Sequence, residues 1–477
     1  MQQELETADI QSLIVRGYGK LLCAEFLRMR VRDPESGAAL ARQGLRALLE
    51  FITFGEQEPG QELELAANIA FTAEGLSHLG LDEEIRDSFP AAFLEGMHTR
   101  ERILGDRSRD WQWGKGDELP DAILLVFGEH DDTTKRAAEI LEQAAAGWLC
   151  TRLPSPRPLF GPGQTGATPV LREHFGFADG IGNPTIRGLG QDRPENEVAP
   201  GEFLLGYPNQ YGRLPASPSV DPGGGKGVVL PNGDFGRNGS YLVFRQLAQE
   251  VYKFWEFLLE QSGGKADEAV ALAAKMVGRW PNGAPLARWS AYQPDGDRRK
   301  DDDFLYAGDR NGFGCPIGSH IRRTNPRDAV PQLDAERSIA STKHRRLLRR
   351  GRTYGPPVKA WPQNGEPWPD PRAIVEAGDD QVDRGVHFLC FCANLVDQYE
   401  FVQQSWVSSR KFGGLANDAD PLLSNPHVPA GAKSSGFTLQ REPVNRRIEG
   451  LPAFVAMKGG AYFFMPGMRA LHFLTEL

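Results

Sequence analysis

Phe175-Gly-Phe-Ala-Asp179-Gly-Ile-Gly-Asn183 sets a single carboxylate, Asp179, in a glycine-rich turn flanked by aromatic residues. Glycines at 176, 180 and 182 permit positive φ and let the backbone approach a flat ligand closely. A bare Asp-Gly pair is an ordinary turn, but the longer string is far more specific. Two more strings follow. Gly318-Ser-His320-Ile-Arg322-Arg323-Thr-Asn-Pro-Arg327 sets an imidazole ahead of three arginines, and Leu347-Leu-Arg349-Arg350-Gly351 follows two leucines with arginine. The leucines suggest a buried segment that delivers an arginine inward, and the pattern leaves open which one.

Around these strings the chain reads as an ordinary globular protein. It has 477 residues, 40% hydrophobic and 25% charged, with a formal net charge of −9. That length allows two or three domains, and the acidic balance argues against a nucleic-acid binder. No apolar run reaches the roughly 18 residues of a membrane span. The first residues lack the charged and apolar regions of an export signal, so a cytoplasmic protein is expected. Five cysteines, an odd and sparse set, argue against a disulfide framework. Cys390 and Cys392 share a face at strand spacing and read as core residues rather than a metal site.

Hydrophobic periodicity predicts a strand over residues 9–15, a helix over 36–54, a strand over 122–127 and a helix over 133–148. Residues 151–240 are rich in Pro, Gly and Asn and carry Asp179, and long irregular stretches in large domains are usually functional. Regularity returns with a strand at 240–244 and a helix whose apolar face is Leu247, Val251, Phe254, Trp255 and Leu258. A strand at 386–393, a helix at 396–406 and the aromatic segment 461–464 follow. The stretch 207–236 is the best boundary candidate. Gly223-Gly-Gly-Lys226 lacks the Ser/Thr and full spacing of a phosphate-binding loop.

Gly176–Gly180, Cys315–Arg327, Leu347–Gly355 and Gly239–Arg245 occur in an order that resembles the dye-decolorizing peroxidases, over about residues 148–410. The length is similar to that family's longer, intracellular branch. The resemblance implies an α+β fold: two ferredoxin-like modules, residues 1–220 with the Asp179 loop and 221–477 with the cofactor, forming a dimeric α+β barrel. It implies one haem b per chain, with His320 as axial ligand to the iron. Neutral imidazole is the usual haem ligand in peroxidases, and its second nitrogen needs a carboxylate or similar partner. Glu400 is the expected partner, with Asp397 as runner-up. Arg322 and Arg323 are expected to meet the haem propionates as charge-assisted forks. Asp179 and Arg349 would lie on the opposite face of the haem as the catalytic pair. The implied partners are hydrogen peroxide and an organic reductant such as a dye or phenol, with no nucleic acid and no membrane, and with room for homo-oligomerisation. Bulky dyes would need a surface Tyr or Trp to relay electrons, and Tyr354 and Trp406 are among the candidates. A haem-carrying protein without turnover is the alternative. It would need His320 but not Asp179 and Arg349. A thiolate ligand from Cys315-Pro316 is a further rival.

Overall fold

The computed structural model describes residues 4–55, 63–161, 170–189, 196–220, 230–292, 301–361, 370–423 and 436–477. Gly223–Lys226 lies outside them. The first half supplies four main strands: β1 (Cys23–Val31), β2 (Leu65–Phe71), β3 (Ala122–Gly128) and β4 (Trp148–Arg152). The second supplies β5 (Ser240–Gln249), β6 (Leu348–Arg349), β7 (Arg352–Tyr354), β8 (Gly385–Cys392) and β9 (Val455–Met465). These nine strands form one sheet in the order β6-β8-β5-β9-β2-β3-β1-β4, with β7 also on β8. With β6 and β7 counted as one strand, each half has its fourth, first, third and second strands side by side in that order, read from β4 in the first half and from β9 in the second, the ferredoxin-like arrangement. All the ladders are antiparallel.

Period-2 alternation divides the strands between two cores. Phe26, Leu125, Phe127, Leu242, Phe244, Leu389, Phe391 and Phe463 point into one cluster. Their neighbours Leu27, Leu124, Val126, Val243, Cys390 and Phe464 point into another, shared with helices α1 (Ala38–Leu49) and α2 (Asp131–Ala144). Both faces are buried, so these strands read as nearly continuous apolar runs. The sheet curls until its outer edges meet. Pro156 bridges Tyr354, Arg157 N donates to Thr353 O at 3.0 Å, and Thr353 Oγ1 donates to Arg157 O at 2.7 Å. Inside the closed barrel, Phe244 meets Phe26 edge-on at 5.7 Å between ring centroids. Phe244→Ala is expected to cost about 3–5 kcal/mol by opening a cavity there, measured as a lower urea midpoint at unchanged slope.

Where the two halves join, β9 and β2 pair at Phe464 and Phe71. The Gln11 side chain fills the rest of the seam. It donates to Ile69 O and Pro466 O and accepts from Ile69 N, each at 2.9 Å. That explains why the strand expected at 9–15 is instead two short helical turns, Thr7–Asp9 and Ser12–Val15: the amide group of Gln11 stands in for a strand. Arg469 N, near the other end of the chain, donates to Asp9 Oδ1 at 2.7 Å.

The strands expected around 122, 240 and 386 are present, and the aromatic segment 461–464 lies within β9. The helix expected to reach 54 stops at Leu49, and the one expected to reach 148 stops at Ala144, where β4 must begin at Trp148. Leu247 ends in β5, and helix α3 (Val251–Gln261) starts after it, followed by α4 (Ala266–Val277). The helix expected at 396–406 is two wide turns, Leu395–Glu400 and Val402–Val407, with π-type bonding. Among the described residues no helix is long and apolar enough to cross a membrane.

Candidate active site

A cavity of about 1330 Å³ opens between the two halves, and Asp179, His320 and Arg349 all line it. The Asp179 loop is placed by its neighbours. Phe175 stacks on Phe254 of α3 with centroids 4.2 Å apart. The buried Arg172 donates to Pro281 O at 3.0 Å, and Ala178 N donates to the same carbonyl at 2.9 Å. Gly180 and Gly182 both sit at φ 77, in the left-handed region that glycine adopts without strain. The turn leaves the Asp179 carboxylate exposed, its Oδ1 accepting Gly180 N at 2.7 Å.

Arg349 is held against the same turn. Its Nη2 donates to Ile181 O at 2.7 Å and its backbone N donates to Asn183 Oδ1 at 3.1 Å. Arg346 Nη2 donates to Gly182 O at 2.7 Å. Two arginines one helical turn apart in sequence thus grip the segment that carries Asp179. Burial lowers Arg346 to about 9, and the charge of Arg327 adds to the effect.

Glu173 braces the loop from below. Its carboxylate accepts Phe175 N at 2.8 Å, Phe177 N at 2.9 Å and Gln249 Nε2 at 2.5 Å. Burial nevertheless pushes it up to about 7. A carboxyl raised on folding supports the native state below its unfolded pKa, near 4.3. That support is lost as pH climbs through the folded value. Glu173→Gln is therefore expected to gain stability relative to wild type between about pH 4.3 and 7, by up to about 3 kcal/mol. Thermal unfolding of both proteins across that window checks it.

His320 opens the short helix α5 (His320–Thr324), preceded by Ser319, whose Oγ donates to Lys275 O at 2.7 Å. Its Nδ1 donates to Asp420 Oδ2 at 2.9 Å, which leaves Nε2 for the cavity. Asp420 is fully buried, and its Oδ1 accepts Leu422 N and Leu423 N, both at 2.9 Å. Burial alone would raise its carboxyl, but the facing His320 brings it below the usual carboxylate value. The expected partner Glu400 is elsewhere. It forms a fork with Arg100 and accepts Tyr462 OH at 3.0 Å. Asp397 is tied to Asn394 instead, its Oδ2 accepting Asn394 Nδ2 at 2.8 Å. Asp420 sits a hundred residues beyond His320, in Asp418-Ala-Asp-Pro-Leu-Leu423, where a carboxylate before two leucines was the available signal.

Arg322 and Arg323 also need correcting, because neither lines the cavity. Arg322 donates to Asp309 O and Cys315 O at 2.9 and 2.8 Å and lies over the Tyr306 ring. Arg323 donates to Gly318 O, Trp406 O and Ser409 O, behind the Asp420 loop. They hold the loops that aim His320. Cys315 is buried beside them, outside the cavity wall, and burial raises its thiol. Tyr354 and Trp406 are buried too.

The residues present fit a haem. The slot offers one free imidazole nitrogen with a carboxylate behind it, apolar walls from Val277, Phe388, Val402 and Leu423, and arginines at its rim. Asp420→Asn is expected to weaken haem retention about 10–100-fold and to raise the iron midpoint potential. Haem transfer to apomyoglobin and a redox titration check the two effects.

A family model described as the DyP dimeric alpha+beta barrel domain matches residues 52–149. A dye-decolorizing peroxidase of Mycena epipterygia is 30% identical over 448 residues, covering 85% of this chain and 75% of the relative. The solved structure of a dye-decolorizing peroxidase in complex with 2,6-dimethoxyphenol superposes with a TM-score of 0.77 at 24% identity, over 99% of this chain and 100% of that one. A structure from work on asymmetric sulfoxidation by engineering the heme pocket of a dye-decolorizing peroxidase gives 0.77 at 23% identity, over 99% and 100%.

Proposed function

This chain belongs to the dye-decolorizing peroxidase family, and on that premise we propose that Asp179 and Arg349 cleave hydrogen peroxide above a haem b held by His320. The chain is a peroxidase, and haem carriage without turnover is not favoured. The observation that carries the residue assignment is the shared turn: Arg349 is hydrogen-bonded to the segment that carries Asp179, on the wall of the cavity that His320 enters.

Bound haem would supply the iron that receives one peroxide oxygen and the two electrons needed to break the O–O bond. Asp179 takes the proton from that oxygen and gives it to the other. The second oxygen leaves as water, and the Arg349 guanidinium stabilises the negative charge that builds on it as the bond opens. His320, held by Asp420, keeps the tautomer that presents Nε2. Arg346, which lines the cavity with its Nη2 donating to Gly182 O, is the better candidate for a propionate than Arg322 or Arg323, which do not line it. No C-x-x-C-H string occurs in the sequence and no cysteine lines the described cavity, which supports haem b over a covalently attached haem.

The reductants are organic molecules such as phenols or dyes that give one electron at a time. All five cysteines are free, which supports a reducing, cytoplasmic setting. We place the module boundary at residues 220/221. The first half then ends beyond the Asp179 loop, although Phe175 packs on the second half. The test is to mix haem-loaded wild type with hydrogen peroxide in a stopped-flow instrument. A rapid Soret change that reductant reverses supports the reading. Bound haem without that change overturns it.

A further inference from the structure

Behind His320 the protein gathers two carboxylates and two guanidinium groups. Asp418, Asp420 and Arg323 are fully buried, and Arg447 reaches in from the surface. Asp418 is matched by direct contact: its Oδ1 accepts Arg447 Nη1, and its Oδ2 accepts Thr438 N at 2.8 Å. Asp420 is bonded differently. Its oxygens accept His320 Nδ1, Leu422 N and Leu423 N, and none of these donors carries a full charge while His320 keeps Nε2 for iron. A buried carboxylate needs an opposite charge as well as hydrogen bonds.

Arg323 supplies that charge without touching the carboxylate. Its Nε donates to Gly318 O at 3.0 Å, its Nη1 to Trp406 O and Ser409 O at 2.7 and 2.9 Å, and its Nη2 to Asp418 O at 2.5 Å. Carbonyls satisfy the N–H groups but leave the positive charge in place. The guanidinium lies 5.1 Å from the centroid of the Phe412 ring, and burial away from water leaves its field weakly screened. Burial lowers Arg323 to about 10, and the charges that oppose this are Asp420 first and Asp418 second. Arg323 in turn is among the groups that lower Asp420. Its four carbonyls belong to the turn before His320, to the segment 406–409 and to the residue two before Asp420. The charge is therefore fixed relative to both members of the His320–Asp420 pair.

We propose that Arg323 is the countercharge of Asp420, a positioning residue that limits how strongly the Asp420–His320 pair donates to the haem iron. The inference rests on the reading of His320 as axial ligand. A carboxylate behind a ligating imidazole raises its basicity, which strengthens the iron–nitrogen bond and favours ferric iron. A buried positive charge beside that carboxylate opposes the donation and holds the iron potential higher, so organic reductants meet a stronger oxidant. The signs are opposite for the two residues. Removing the Asp420 charge raises the potential, and removing the Arg323 charge lowers it. A unit charge about 10 Å away through an effective dielectric of about 20 changes an equilibrium constant roughly tenfold.

The test is a double-substitution cycle on the haem-loaded full chain: wild type, Arg323→Met, Asp420→Asn and both together, with Arg323→Lys as the variant that keeps the charge and loses the fork. In a redox titration Arg323→Met should raise the ferric-to-ferrous ratio at the wild-type midpoint about tenfold, a midpoint lower by about 59 mV. The iron–histidine stretch of the ferrous protein should move to higher frequency in resonance Raman spectra. Arg323→Lys should stay within about threefold of the wild-type ratio, and Arg323→Met should shift it by less than about threefold when Asn stands at 420. Urea midpoints of the same set should show Arg323→Met costing more stability with Asp at 420 than with Asn, because only then is a buried charge left bare. An unchanged potential in Arg323→Met, an equal shift in Arg323→Lys, or an equal shift in both backgrounds overturns the inference. If Arg323→Met does not fold or hold haem, recovery in the double variant supports the countercharge, and failure to recover assigns Arg323 to its carbonyl bonds alone and overturns it. Loss of the axial reading itself would show separately, as a His320→Ala protein with the wild-type ferric spectrum. The peroxidase reading falls only if peroxide leaves the wild-type Soret band unchanged.

Discussion

Asp179→Asn is expected to slow the reaction with hydrogen peroxide by about 10²–10⁴-fold, the usual loss when a positioned acid–base group is removed. The change is nearly isosteric. Its Oδ1 still accepts Gly180 N, and the loop keeps the Glu173, Arg172 and Phe175 contacts that place it. Haem loading and thermal stability should therefore stay near wild type while the second-order rate constant for the peroxide-dependent Soret change collapses. A carboxamide cannot take the proton from one oxygen and return it to the other. A near-wild-type rate would show that the proton travels by another route, and the assignment of Asp179 would fall.

Arg349→Leu comes next, with an expected loss of about 10²–10³-fold, the scale of removing one donor aimed at developing negative charge. Two effects combine here. The charge beside the leaving oxygen disappears, and so does the bond from Nη2 to Ile181 O that braces the Asp179 turn. Arg349→Lys separates them. It restores a positive charge without the planar fork, so recovery of part of the rate assigns that part to charge and the remainder to geometry. Rates are read in the same stopped-flow experiment, with haem content as the control. An Arg349→Leu enzyme as fast as wild type would leave Arg346 as the remaining arginine on that turn.

How much of this was legible in the sequence follows from how local each feature is. Asp179, His320 and Arg349 each sit in a short string that sets the turn or helix start around it, and the strings, with the family resemblance to choose among the arginines, name three residues that line one cavity. The carboxylate behind His320 did not follow. Glu400 lies on a helical segment at a plausible distance along the chain, but Arg100 from the other half occupies it. Asp420 is delivered by a loop whose position depends on Arg323 and on the strands beneath it. Arginines show the same limit. The run 345–352 alternates between cavity, loop and N-terminal carbonyls, and partner choice of that kind is settled in three dimensions. Strand β1 was overlooked because Glu25, Arg28 and Arg30 break up its apolar pattern, although Glu25 is buried against Arg157 and Arg28 lies over Trp113. The barrel itself was legible only through the family strings, since closure at Pro156–Tyr354 is a long-range contact with no local signal.

The place of β9 in the sheet has a consequence for how the protein is made. Strand β9, residues 455–465, lies between β5 and β2 in the middle of the sheet and is the seam that joins the two halves. During synthesis the first half can assemble its four strands early, as N-terminal units generally do. The second half must wait, with β5 lacking one of its two neighbours, until residues 455–465 have left the ribosome. Val455, on this last strand, is also part of the cavity wall. The cavity wall is therefore incomplete until β9 is in place, and the cell must hold a nascent chain with an open sheet edge until that strand arrives.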